Sequence, residues 1–121
     1  MPHCVVEYSD NIADDFDIKN LLSQINQYLA GTELFNLNDI KSRAVCHDLY
    51  VIGDGDESRS FVTINLSILS GRDEVVKKQL SDGLLRLLEK NFPLTLSKQK
   101  ASLTVQRSEM DKGSYRRIVS Y

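Results

Sequence analysis

The same order of elements occurs twice along this chain, and that repetition constrains the fold more than any other feature. In the first half, His3 to Tyr8 sets Val5 and Val6 among more polar neighbours, the mark of a short strand. Ile18, Leu21, Leu22, Ile25 and Leu29 then recur at the spacing that lines one face of a helix. Asp15 or Asp17 serves as its N-cap, Gly31 stands where a C-terminal cap belongs, and a second strand is expected from about Ile40 to Ile52. The second half repeats the order. Val62, Ile64, Leu66 and Ile68 alternate with Thr63, Asn65 and Ser67 between Phe61 and Leu69, the clearest strand in the sequence. Gly71-Arg72-Asp73 turns into a helix capped by Asp73, with Val76, Leu80, Leu84, Leu87 and Leu88 on one side and Pro93 just beyond its end. Lys100 to Met110 supplies the last strand, with Leu103 and Val105 inward. Between the halves, Gly53-Asp54-Gly55-Asp56 has the turn chemistry of a hairpin connection.

Strand-helix-strand taken twice implies two right-handed crossovers, each joining parallel strands. Each helix carries a single apolar stripe, so both are expected on one face of a four-stranded mixed sheet. The expected fold is therefore α+β, in two layers, as a single domain over residues 1–121. The opposite sheet face has no cover within the chain. A second copy of the protein is the expected cover, which makes a homo-oligomer.

Composition narrows the function classes. A formal net charge of -2 provides no global positive field for nucleic acid or an acidic membrane surface. No apolar run approaches the roughly 18 residues that span a bilayer. Met1-Pro2-His3-Cys4 has neither the basic nor the apolar region of a secretory signal, so a cytoplasmic protein is expected. The two cysteines, Cys4 and Cys46, are read as reduced, buried thiols. Cys46-His47-Asp48 gathers metal-binding side chains, but strand neighbours point to opposite faces and no second cluster completes a site. Asp54 and Asp56 lack the later ligands of a calcium loop.

Several segments carry a family resemblance. The opening Met1 to Ser9, Gly31 to Phe35, Ile40-Lys41-Ser42-Arg43-Ala44-Val45, Asp54-Gly55, Phe61 to Leu66, Gly71-Arg72 and Ser114-Tyr115-Arg116-Arg117 resemble, in order and over nearly the whole chain, the 5-carboxymethyl-2-hydroxymuconate delta-isomerases of the tautomerase superfamily. The resemblance implies tandem β-α-β units, a homotrimer, no metal or organic cofactor, and Pro2 as base once Met1 is removed. It also implies an unsaturated oxo-carboxylate as substrate, from the breakdown of an aromatic compound.

The chemistry explains why such residues are wanted. A double-bond shift through a dienolate needs a base with a pKa near the working pH. A free α-amine starts at roughly 8, far below a lysine, and a dry pocket with cationic neighbours lowers it further. Proline makes that amine part of a rigid ring, whereas an internal proline nitrogen is an amide without basicity. Cations hold the carboxylates and the developing oxyanion. The resemblance assigns this role to Arg72, at the start of the second helix, and to Lys41, where the family has an arginine. Lysine keeps the charge but not the bidentate fork, and Arg43, two residues on and so on the same strand face, is the residue expected to share the role. His3 is expected to face away from the base. Tyr8, Tyr28 and Tyr50 either line a pocket or pack.

Two other readings compete. One is a tautomerase-fold or ferredoxin-like module that binds a small anion without turnover. The other, an RNA-binding ferredoxin-like domain, would need exposed aromatics for base stacking, and the third strand offers Thr63, Asn65 and Ser67 instead.

Overall fold

A computed structural model describes residues 1–121. In chain order the elements are β1 (His3–Ser9), α1 (Ile18–Gly31), β2 (Lys41–His47), β3 (Arg59–Leu69), α2 (Glu74–Asn91), α3 (Pro93–Lys98) and β4 (Lys100–Met110), with one 3-10 turn at Leu37–Asp39. The sheet order is β2-β1-β3-β4. β1 runs parallel to β2, β3 runs parallel to β4, and the two units meet through the antiparallel pair of β1 with β3. The doubled unit and its parallel pairs are as expected.

The core lies between the sheet and the two long helices. From β1 it takes Cys4 and Val6, and from β3 it takes Val62, Ile64, Leu66 and Ile68. Leu21, Ile25 and Leu29 of α1 and Leu80, Leu84 and Leu88 of α2 close over them. The period-two pattern of β3 and the helical stripes therefore meet in one layer, which is the arrangement their spacing demands. Asp17 caps α1 by accepting from the Lys19 amide, and Asp73 caps α2 by accepting from the Val76 amide.

Five local expectations are corrected. The loop Gly53–Asp56 makes turns but no hairpin, because β1 lies between β2 and β3. β2 ends at His47, and the apolar residues beyond it stand in solvent, Leu49 91% and Val51 82% exposed. Gly31 is the last residue of α1, and Thr32 is the cap, its amide reaching the Leu29 and Ala30 carbonyls. Pro93 begins a further helix, α3, where proline at the first position loses no hydrogen bond. Asp14 caps that helix from a distant loop, accepting from the Leu94 and Thr95 amides at 3.2 and 2.7 Å. Finally, Cys4 is buried but Cys46 is exposed. Burial pushes the Cys4 thiol up to about 12.

The loop acids are matched to cations. Asp54 accepts from Arg59 at 2.8 Å, and Asp56 accepts from Lys100 at 2.8 Å. Of the tyrosines singled out above, Tyr8 packs edge-on against Phe16 at 5.3 Å, and Tyr28 donates to the Gln79 carbonyl at 3.1 Å across the helix pair. Tyr50 donates to Asp10 at 2.9 Å beside an open cleft. No helix is long and apolar enough to cross a membrane.

Candidate active site

Strand directions gather four segments at one end of the sheet. β1 begins there, so does its parallel neighbour β2, and the antiparallel β3 ends there. β4, parallel to β3, ends there too and releases the C-terminal tail. The start of the chain is thus surrounded by the entry to β2, the β3–α2 connection and the tail.

Pro2 is buried, and its carbonyl accepts from the Lys41 amide at 3.2 Å. With Met1 attached, the Pro2 nitrogen is an amide, and the free amine belongs to Met1. Burial is the first cause acting on that amine and lowers its pKa. Asp39 opposes the shift, while Arg72, Arg117 and Lys41 reinforce it, and the net direction is down. Three cations and one carboxylate are therefore close enough to the chain's start to act on it.

Arg72 is placed by the turn out of β3. Gly71 has φ +109°, a conformation that side chains rarely adopt, and this lets the chain reverse into α2 directly after the strand. The guanidinium carbon of Arg72 lies 4.7 Å from the ring centre of Phe35, a cation–π contact. Its Nε is buried and has no hydrogen-bond partner. A cleft of about 200 Å³ borders it, lined by Leu69, Ser70, Gly71, Arg72 and Lys112.

Lys41 directs Nζ to the Asp39 carbonyl at 3.2 Å. The Asp39 carboxylate accepts from Arg117 Nη1 at 2.9 Å and from the Tyr121 hydroxyl at 3.0 Å, and these two bonds hold its carboxyl below the usual range. Arg43 shares the strand with Lys41 two positions on, but its Nη1 lies 3.3 Å from His3 Nδ1. The charges acting on the chain's start do not include Arg43. The structure thus places Pro2, Lys41 and Arg72 at one end of the sheet, together with Asp39 and Arg117, which the sequence reading did not single out as candidates. The Arg116-Arg117 pair marks the tail as basic, but nothing local tells where a tail will fold.

A larger cleft of about 490 Å³ opens at the opposite end of β1 and β3, beside Asp48, Asp56 and Glu57. Its acidic lining suits a carboxylate ligand poorly. The basic end of the sheet is the candidate site.

Comparison with known proteins bears on the chain as a whole. The model of the 5-carboxymethyl-2-hydroxymuconate isomerase family matches residues 2–118. A 5-carboxymethyl-2-hydroxymuconate Delta-isomerase of Escherichia coli is 31% identical over 110 residues, covering 91% of this chain and 87% of that protein. The crystal structure of a 5-carboxymethyl-2-hydroxymuconate isomerase from Deinococcus radiodurans R1 superposes with a TM-score of 0.88 at 31% identity, covering 97% of this chain and 88% of that one. At the level of fold alone, a fused 4-OT symmetric trimer superposes with a TM-score of 0.71 at 14% identity, covering 91% of this chain and 86% of that one.

Proposed function

The chain belongs to the 5-carboxymethyl-2-hydroxymuconate isomerase family, within the tautomerase superfamily, and on that premise we propose that it isomerises an unsaturated oxo-carboxylate with the amine of processed Pro2 as base. The reaction is a proton relocation. The base takes a proton from one position of the conjugated oxo-acid, the electron pair spreads over a dienolate, and the proton returns at another carbon. Composition and net charge are unchanged, so no redox partner is required.

The observation that carries this reading is the group of Arg72, Lys41 and Arg117 around a buried chain start. A cationic, partly dry setting favours the neutral amine, which is the form that accepts a proton. The same cations favour a substrate with several carboxylates and stabilise the oxyanion as it develops. The unpartnered Nε of Arg72 fits this role, since a bound acceptor relieves the cost of a buried donor left unmatched. Lys41 supplies a second positive charge at the entry to β2. Arg43, aligned with His3, is assigned an outer role in attracting the substrate.

The reading extends to a homotrimer in the cytoplasm, serving aromatic-compound breakdown without a cofactor. Val45, Leu49, Val51 and Ile118 are large apolar side chains that the single chain leaves uncovered, and a relative of the same fold is a symmetric trimer.

Replacing Pro2 tests the base. In Pro2→Ala the turnover of 5-carboxymethyl-2-hydroxymuconate, followed by its ultraviolet absorbance, is expected to fall by about 10² or more. Unchanged turnover removes Pro2 as the base. Saturable binding of the substrate by the processed wild type, without turnover, would instead favour an anion-binding module.

A further inference from the structure

We infer that Arg117, brought back by the C-terminal tail, is a specificity-determining residue that takes one carboxylate of a multiply charged substrate. The inference rests on the isomerase reading for the location of the site. It goes beyond that reading in assigning part of the site to a segment outside the sheet and helices.

The argument is topological first. The tail leaves β4 beside the end of β3, where the Lys112 amide donates to Ser70 Oγ at 3.3 Å. It finishes at the entry to β2, where the Tyr121 hydroxyl donates to the Asn38 carbonyl at 3.1 Å. β1 lies between β3 and β2 in the sheet. A strap tied to the ends of both must therefore pass the start of β1, where Pro2 stands. Arg117 lies on that strap, and its bond to Asp39 spans 78 positions of sequence.

Chemistry then assigns the side chain. Only Nη1 of Arg117 is committed to Asp39, so Nε and Nη2 remain as two parallel donors. The side chain is 40% exposed and hence reachable by a ligand. Two parallel donors match one carboxylate in bidentate fashion, which a lysine cannot do. Lys41 has a lysine's single point charge, and its Nζ is turned to the Asp39 carbonyl. Asp39 thus orients both cations, Lys41 through its main chain and Arg117 through its carboxylate. The fork that Lys41 lacks is supplied by the tail.

Steady-state kinetics of the full-length, processed protein test this with two substrates. One is 5-carboxymethyl-2-hydroxymuconate, which carries three carboxylates, and the other is enol-phenylpyruvate, which carries one. Arg117→Ala is expected to raise KM for the tricarboxylate about tenfold or more, with the loss in KM rather than kcat. The ratio of kcat/KM between the two substrates should fall by a similar factor, and Arg117→Lys should recover only part of it. Equal losses on both substrates, as a merely detached tail would give, overturn the inference, and so does an unchanged ratio. If Arg117→Ala fails to fold, Arg117→Lys decides alone: a ratio lowered several-fold supports the fork, and a wild-type ratio refutes it. Calorimetric binding of tricarballylate and of butyrate separates the two readings. A wild type without turnover overturns the isomerase reading, while a tenfold weaker tricarballylate affinity in Arg117→Ala still supports the role of Arg117. Equal affinity contradicts that role.

Discussion

At the scale of single residues, the candidate site is a small set of charges around the start of the chain. Burial and three cations lower the Met1 amine, and Asp39 alone pulls it upward. The proposed base, the Pro2 amine one residue on in the same surroundings, works when neutral, so kcat/KM should rise with pH through its pKa and level off above it. That rising limb is expected below the ordinary value of roughly 8 for an α-amine. In Asp39→Asn the opposing charge is gone, and the limb should move to lower pH. A pH–rate profile checks both statements, and a limb at or above 8, or one that rises in Asp39→Asn, contradicts them. As candidates, Pro2, Lys41 and Arg72 were legible in sequence through the family resemblance, whose matching segments contain all three. Asp39 and Arg117 were not, because the bond that joins them depends on where an irregular tail folds.

At the scale of elements, what was legible followed a period. β3 alternates, α1 and α2 carry stripes, and Asp17 and Asp73 cap as their positions suggest. The misreadings share one cause, the use of local signals where tertiary context decides. Leu49 and Val51 continue the apolar look of β2 but are left in solvent by the single chain, and Pro93 resembles a stop signal yet starts α3. One glycine was silent in sequence. Gly83 sits inside α2, where a Cβ would lie 1.8 Å from Tyr28 Oη and 2.0 Å from Tyr28 Cζ. Its role is to let α1 and α2 approach. Gly83→Ala should gain helix propensity of ~1 kcal/mol but lose more through overpacking, for a net destabilisation of about 1–2 kcal/mol. The urea midpoint measures this, and a stabilised variant would show that Tyr28 moves aside at no cost.

At the scale of the whole molecule, the two-layer construction leaves a sheet face that the chain's own helices do not cover. His3, Val5 and Glu7 of β1 alternate with residues buried under the helices, and their neighbours on β2 include Lys41, Arg43 and Val45. Both outer strands, β2 and β4, also have one unpaired edge. The closed trimer proposed above would resolve both problems at once. Light scattering should therefore give three times the 13.7 kDa chain mass, and a stable monomer at micromolar concentration would contradict the assembly. That one sheet face stays uncovered by the chain's own helices was readable from the amphipathic stripes alone. The number of partners was not, because the angle between subunits is set by surface shape.

The central claim is that the ring nitrogen of Pro2 works as a free amine, and it is tested without altering a single side chain. Protein carrying Met1 is compared with the same protein after aminopeptidase removal of that residue, each verified by intact mass, in the isomerisation of 5-carboxymethyl-2-hydroxymuconate. The processed form should turn over at least about 10² times faster, the scale of a positioned general base. Equal rates for the two forms would contradict the account.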